Sequence, residues 1–127
     1  MHFMFRSLII NDGAGIDMHE LSLANDLSQI ILDHCGESKV KAVEIEIGSL
    51  SGVMPEAFSF CAHLVLGEKF GEQVEVIINN KTADALCSCG RRYELTDILD
   101  PCPACGEYDR EIVAGTDVVL KSVELES

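Results

Sequence analysis

The sequence predicts an α+β fold: a small sheet of about three strands packed by two helices, with a zinc-ribbon-like four-cysteine module inserted late in the chain. Three observations carry this expectation. Two segments repeat apolar residues every three or four positions, as helices with one buried face do. Three short runs rich in Val and Ile have the composition of strands. Four cysteines, Cys87, Cys89, Cys102 and Cys105, fall together between the second and third of these runs.

Residues 1–17 mix Phe3, Phe5 and Leu8, Ile9 and Ile10 with a turn-like Asn11-Asp12-Gly13-Ala14-Gly15 and show no periodicity. They read as a flexible leader, or as a start codon assigned too far upstream. Their apolar run falls short of the ~7–15 residues of a secretory h-region. Residues 20–34 are expected to be helical. Leu23, Leu27, Ile30 and Ile31 share one face, and Gly36 follows as a stop. Over 40–47, Val43, Ile45 and Ile47 alternate with Glu44 and Glu46, the pattern of a half-buried strand. A turn-rich loop runs from Gly48 to Gly52. Pro55 suits a first helical position, where its missing N–H is not needed. Phe58, Cys61, Ala62 and Val65 form the expected buried stripe of this second helix, which should end by Gly67. Strands are expected over 73–78 and 117–125.

Length and charge narrow the function classes. The chain has 127 residues, 47% of them hydrophobic, which suits one domain with a core. Nine Lys and Arg against 22 Asp and Glu give a net charge of −13. Phosphate neutralisation needs a surplus of cations, so nucleic acid is disfavoured as a partner, and so is an anionic membrane. Basic surfaces and metal cations fit better. Clustered cysteines without a signal peptide point to a cytoplasmic location and to metal before disulfide.

The cysteine pattern is Cys87-x-Cys89-(x12)-Cys102-x-x-Cys105, with Gly90 and Gly106 after each pair. Zn²⁺ takes four thiolates tetrahedrally, and such a closed site is structural. Glycine tolerates the positive φ that a tight metal knuckle requires. A redox reading of Cys102-Pro103-Ala104-Cys105 competes, but a thioredoxin-like motif should follow a strand and open a helix. Four unrelated buried cysteines are the remaining alternative. The first pair is one residue shorter than the usual C-x-x-C. Either its loop adjusts or the site holds zinc less tightly.

Met18-His19-Glu20-Leu21-Ser22-Leu23-Ala24, then Ile45-Glu46-Ile47-Gly48-Ser49-Leu50-Ser51-Gly52-Val53 with Pro55-Glu56-Ala57-Phe58, the two cysteine pairs, and Val119-Leu120-Lys121-Ser122-Val123-Glu124-Leu125 occur in one order. In these segments the chain from residue 18 resembles the hydrogenase-maturation nickel metallochaperones (HypA/HybF). The resemblance implies a non-enzymatic, cytoplasmic chaperone. Residues 18–80 and 116–127 would form its nickel-binding α+β domain, and residues 81–115 its zinc-binding module. It implies that His19 is the principal Ni²⁺ ligand, working with the terminal amine of Met18, deprotonated backbone amides and Glu20. Nitrogen donors in a roughly square-planar set favour Ni²⁺ over cations that prefer oxygen. The implied partners are a hydrogenase large subunit and a nickel-linked maturation GTPase. Members of the family begin at the Met of Met-His-Glu, whereas here residues 1–17 turn that amine into a peptide nitrogen.

The remaining candidate ligands read as structural. His34 and Cys35 end the first helix, Cys61 belongs to an apolar stripe, and His63 lies off it. No catalytic constellation or phosphate loop is present in the sequence. The alternative function is a zinc-ribbon protein-interaction module without a nickel role.

Overall fold

The computed structural model describes residues 2–9, 20–36 and 39–126. The elements are β1 (His2–Ile9), α1 (Glu20–Cys35), β2 (Val40–Gly48), α2 (Pro55–Phe70), β3 (Glu75–Lys81), β4 (Ala83–Cys87), β5 (Arg92–Leu95), β6 (Arg110–Ala114) and β7 (Val118–Leu125). They form two sheets, one ordered β1-β7-β2-β3 and one ordered β5-β4-β6. The α+β class, the two helices and the three expected main strands (β2, β3, β7) are all present.

The helices form for the reasons their sequences suggest. Leu23, Leu27 and Ile31 of α1 are buried, while Asn25, Asp26 and Gln29 are exposed. Ser28 is buried with them, and its hydroxyl donates to Asn25 O at 2.8 Å, so its polar group is satisfied. Helix α2 opens with Pro55, and the N–H of Phe58 donates to Met54 O at 2.9 Å. Phe58, Ala62, Val65 and Leu66 are its buried residues, with Cys61 only half-buried.

Helix α2 does not end by Gly67. It runs on to Phe70, and Gly71 closes it by donating its N–H to Gly67 O at 3.0 Å. Phe70 packs against the main core, and that burial outweighs the ~1 kcal/mol that a helical glycine costs. Strand β3 accordingly starts two residues later than expected.

Strands β2 and β3 are parallel, with Val43 opposite Val76 and Ile45 opposite Ile78. A parallel pair needs a crossover, and α2 supplies it. Strand β7 returns antiparallel between β1 and β2. Its interior place explains its burial: Val118, Val119, Leu120, Ser122, Val123 and Leu125 are all buried. One core joins helices and sheet through Leu23, Leu27, Ile31, Ile45, Phe58 and Leu120.

Two further findings differ from the sequence reading. Residues 1–17 carry no periodicity, yet β1 forms there and pairs with β7, with Phe3 opposite Val123 and Leu8 opposite Leu120. A register shift lies between Met4 and Leu8. The unpaired edge of β7 offers backbone partners that override weak local periodicity. The cysteine region also holds three short strands, β4 to β6, that local pattern does not announce. Runs of four and five residues such as Arg92–Leu95 and Ala83–Cys87 carry little pattern by themselves.

The module joins the main domain where backbones come close. Ser49 N donates to Lys81 O at 2.8 Å and Leu50 N to Gly115 O at 2.9 Å. A Cβ on Gly48 would fall on the Gly115 carbonyl, so only glycine fits there. Leu50 packs against the module's own small core of Ala83, Ala85, Cys87, Tyr93, Leu95 and Cys102. Among the described residues no helix is long and apolar enough to cross a membrane.

Candidate metal centre

Cys87 closes β4, and Cys89 follows it in a turn; Cys102 and Cys105 occupy a second turn before β6. The first turn is fixed by Cys87 N donating to Arg91 O (2.8 Å) and by Gly90 N donating to Cys87 O (2.9 Å). The second repeats this with Cys102 N to Glu107 O (3.0 Å) and Gly106 N to Cys102 O (2.8 Å). Ser88 N reaches Asp109 O at 3.0 Å and ties the first turn to the strand leading into β6.

The short first pair is accommodated by adjustment of its loop. The bond closing its turn spans three residues, Cys87 to Gly90, where that of the second pair spans four, Cys102 to Gly106. Gly90 at φ 96° and Gly106 at φ 76° make both turns possible. Each also aims a backbone N–H at a sulfur: Cys89 N at Cys87 Sγ (3.5 Å) and Ala104 N at Cys102 Sγ (3.4 Å).

These turns bring the four sulfurs together. Cys87 Sγ lies 3.4 Å from Cys105 Sγ, Cys89 Sγ lies 3.8 Å from Cys102 Sγ, and all four lie within 4.8 Å of one another. Zn–S bonds of ~2.3 Å in a tetrahedron place sulfurs about 3.8 Å apart, so the donor set fits a tetrathiolate zinc ion. None of the six cysteines is in a disulfide.

The electrostatics of the cluster are asymmetric. Burial opposes ionisation of Cys102, but the N–H groups of Cys105 and Ala104, helped by the Cys87 and Cys89 thiols, bring its pKa down to about 6. At Cys105 a Glu107 N–H favours the thiolate. The Cys87 thiol, burial, Cys102 and Cys89 oppose it more strongly and push the pKa up to about 12. One thiolate therefore forms first and resists its neighbours' ionisation. A divalent cation would reverse that balance, because it stabilises all four thiolates.

Of the other sequence-singled residues, Glu20 is the first residue of α1, and its Oε1 accepts the N–H of Met54 at 3.5 Å. It thus bridges the starts of the two helices. Met18 and His19 lie outside the described residues. His34 Nδ1 lies 2.9 Å from Ile30 O and His63 Nδ1 lies 2.7 Å from Ser59 O, both exposed and on their own helices. Burial raises the Cys35 thiol, which packs against the main core. Among the described residues, Glu20, His34, Cys35 and His63 are not part of the four-cysteine cluster. The sequence had no signal for Tyr93, whose buried hydroxyl in the module core has no hydrogen-bond partner among the described residues.

A family model described as "Hydrogenase/urease nickel incorporation, metallochaperone, hypA" matches residues 18–125. The chain belongs to the HypA family. It is 36% identical to the hydrogenase maturation factor HypA of Geobacter metallireducens over 110 residues, 86% of this chain and 100% of that relative. The HypA of Geobacter sulfurreducens is 34% identical over the same shares of the two chains. The solution structure of the Ni metallochaperone HypA from Helicobacter pylori superposes with a TM-score of 0.62, covering 85% of this chain and 97% of that one at 20% identity. That likeness shows a shared fold. Strand β1 lies outside the matched HypA region, whereas Glu20 and all four clustered cysteines lie inside it.

Proposed function

We propose that this protein binds one Ni²⁺ at the start of α1 and delivers it during maturation of a [NiFe]-hydrogenase, while a zinc ion holds the four-cysteine module. The observation that carries this reading is the HypA family match over residues 18–125, which starts at Met18-His19-Glu20. His19 supplies an imidazole nitrogen. In the 127-residue chain the Met18 nitrogen is a peptide nitrogen, so deprotonated amides complete the nitrogen set, with Glu20 beside them. These donors suit Ni²⁺ in a square-planar arrangement. The positive end of the α1 dipole lies next to the bound cation and opposes it. The Glu20 carboxylate offsets that repulsion, and the balance favours a site that can release its ion. The nickel passes to a hydrogenase large subunit in the cytoplasm, with a nickel-linked GTPase acting in the same sequence of steps. The protein itself catalyses no bond change.

The test is a Ni²⁺ titration of the zinc-loaded full chain, followed by calorimetry and visible absorption. One nickel per chain is expected in addition to one zinc. His19→Ala should lose the nickel and keep both zinc and fold. Unchanged nickel affinity in His19→Ala would overturn the ligand assignment. An unmutated chain that takes up no nickel would leave a zinc-stabilised interaction module.

A further inference from the structure

The loop joining β5 to the second cysteine turn, residues 96–100, is fixed by seven hydrogen bonds. The Asp100 carboxylate accepts from Thr96 N (3.2 Å), Thr96 Oγ1 (2.6 Å) and Asp97 N (3.0 Å). Asp97 Oδ1 accepts from Leu99 N at 2.9 Å, and Asp97 O accepts from Asp100 N at 2.9 Å. From β6, the Arg110 guanidinium donates to Asp100 O at 3.1 Å and to Ile98 O. Yet the loop carries Ile98 at 50% and Leu99 at 73% exposure.

A single exposed leucine is ordinary. Two adjacent large apolar side chains on a backbone fixed this fully are different. Fixing the loop opposes its chain entropy, and these side chains bury little within the chain to offset it. Such an arrangement suits binding, where a preordered apolar anchor loses less freedom on contact.

The surroundings define what it would meet. From residue 93 to residue 109 the sequence holds Glu94, Asp97, Asp100, Glu107 and Asp109 and neither Lys nor Arg. Arg110, the next cation, is engaged with the loop's own carbonyls. A second copy of this chain, also at −13, offers this acidic tip less charge complementarity than a basic partner does. We infer that Ile98 and Leu99 form a docking tip on the zinc-side module for a partner protein whose surface offers an apolar pocket rimmed by Lys or Arg. The inference is independent of the nickel assignment.

The experiment places a photo-crosslinking residue at Leu99 of the full zinc-loaded chain in cells, with the same residue at exposed Glu72 as control. The adduct is mapped by mass spectrometry, and the captured protein is purified for affinity measurement. The expected adduct lies at an apolar residue flanked by Lys or Arg. The purified partner should bind the double variant Ile98→Ser, Leu99→Ser about 100-fold more weakly, as expected for losing two buried aliphatic side chains. Binding should weaken with added salt. Asp100→Ala, which removes the acceptor of all three side-chain bonds but keeps both apolar side chains, should also weaken it while zinc content stays unchanged. Any of four results overturns the proposal. These are a position-99 adduct no stronger than that at position 72, an adduct with a second copy of this chain, an acidic contact surface on the partner, or equal affinity of the double variant.

Discussion

The two halves of the cysteine cluster are built differently, and Cys102 shows why. It is buried, and burial alone would raise its thiol, but N–H groups from its own turn hold its pKa at about 6. The unperturbed value is 9.0, so the fold favours the thiolate. That stabilisation is complete only above the unperturbed value and is lost as the pH falls through about 6. The metal-free protein should therefore show one thiolate by ultraviolet absorbance at neutral pH, disappearing below about 6 and absent in Cys102→Ser. A bound divalent ion should hold the sulfurs ionised to a lower pH than this, because it stabilises the thiolates against protonation. That Cys102 is a ligand candidate was legible from Cys102-Pro103-Ala104-Cys105. That it ionises ahead of Cys105 was not, since the ordering depends on which N–H groups the folded turn aims at which sulfur.

Among the elements, β1 and α2 show tertiary context overriding local pattern. Strand β1 has no alternation to announce it, yet it pairs along β7 and turns that strand from an edge into an interior one. A chain beginning at Met18 should keep its helices and its four-cysteine cluster, since the HypA family match needs nothing before that residue. Its β7 amides over residues 118–125 should exchange faster, because one side of the strand loses its partners. Hydrogen-exchange mass spectrometry of the two chains compares this directly. Unchanged protection in β7 would mean that β1 contributes no stable pairing. Helix α2 makes the converse point. Gly67 reads locally as a stop, but Phe70 beyond it reaches the core, so the helix continues for another turn.

Across the molecule, two cores of unequal size sit side by side. The main one draws large aliphatic and aromatic residues from both helices and from three strands. The module's core is Ala83, Ala85, Tyr93 and Leu95 with two of the cysteines, too little apolar volume to stand alone. Chelating the metal should therefore unfold residues 83–114 while the helices and the four-stranded sheet persist. Circular dichroism should retain most of its helical signal, and the chelated protein should melt in one step, that of the main core. A single cooperative loss of all structure on chelation would show that the contacts of Ser49 and Leu50 with Lys81 and Gly115 fuse the two cores into one unit.

Local pattern alone carries the α+β class, both helices, the three main strands β2, β3 and β7, the four cysteines and the HypA resemblance. Each rests on local chemistry: apolar spacing in Leu23, Leu27 and Ile31, alternation in Val43, Ile45 and Ile47, and thiols spaced for a metal. Folding alone settles that β1 joins the sheet, that α2 outruns Gly67, that the module is itself a three-stranded sheet, and that Glu20 reaches Met54 across 34 residues. These features depend on partners distant in sequence. An open strand edge, a core within reach of Phe70 or a carboxylate beside another helix's first turn exists only once the chain has folded.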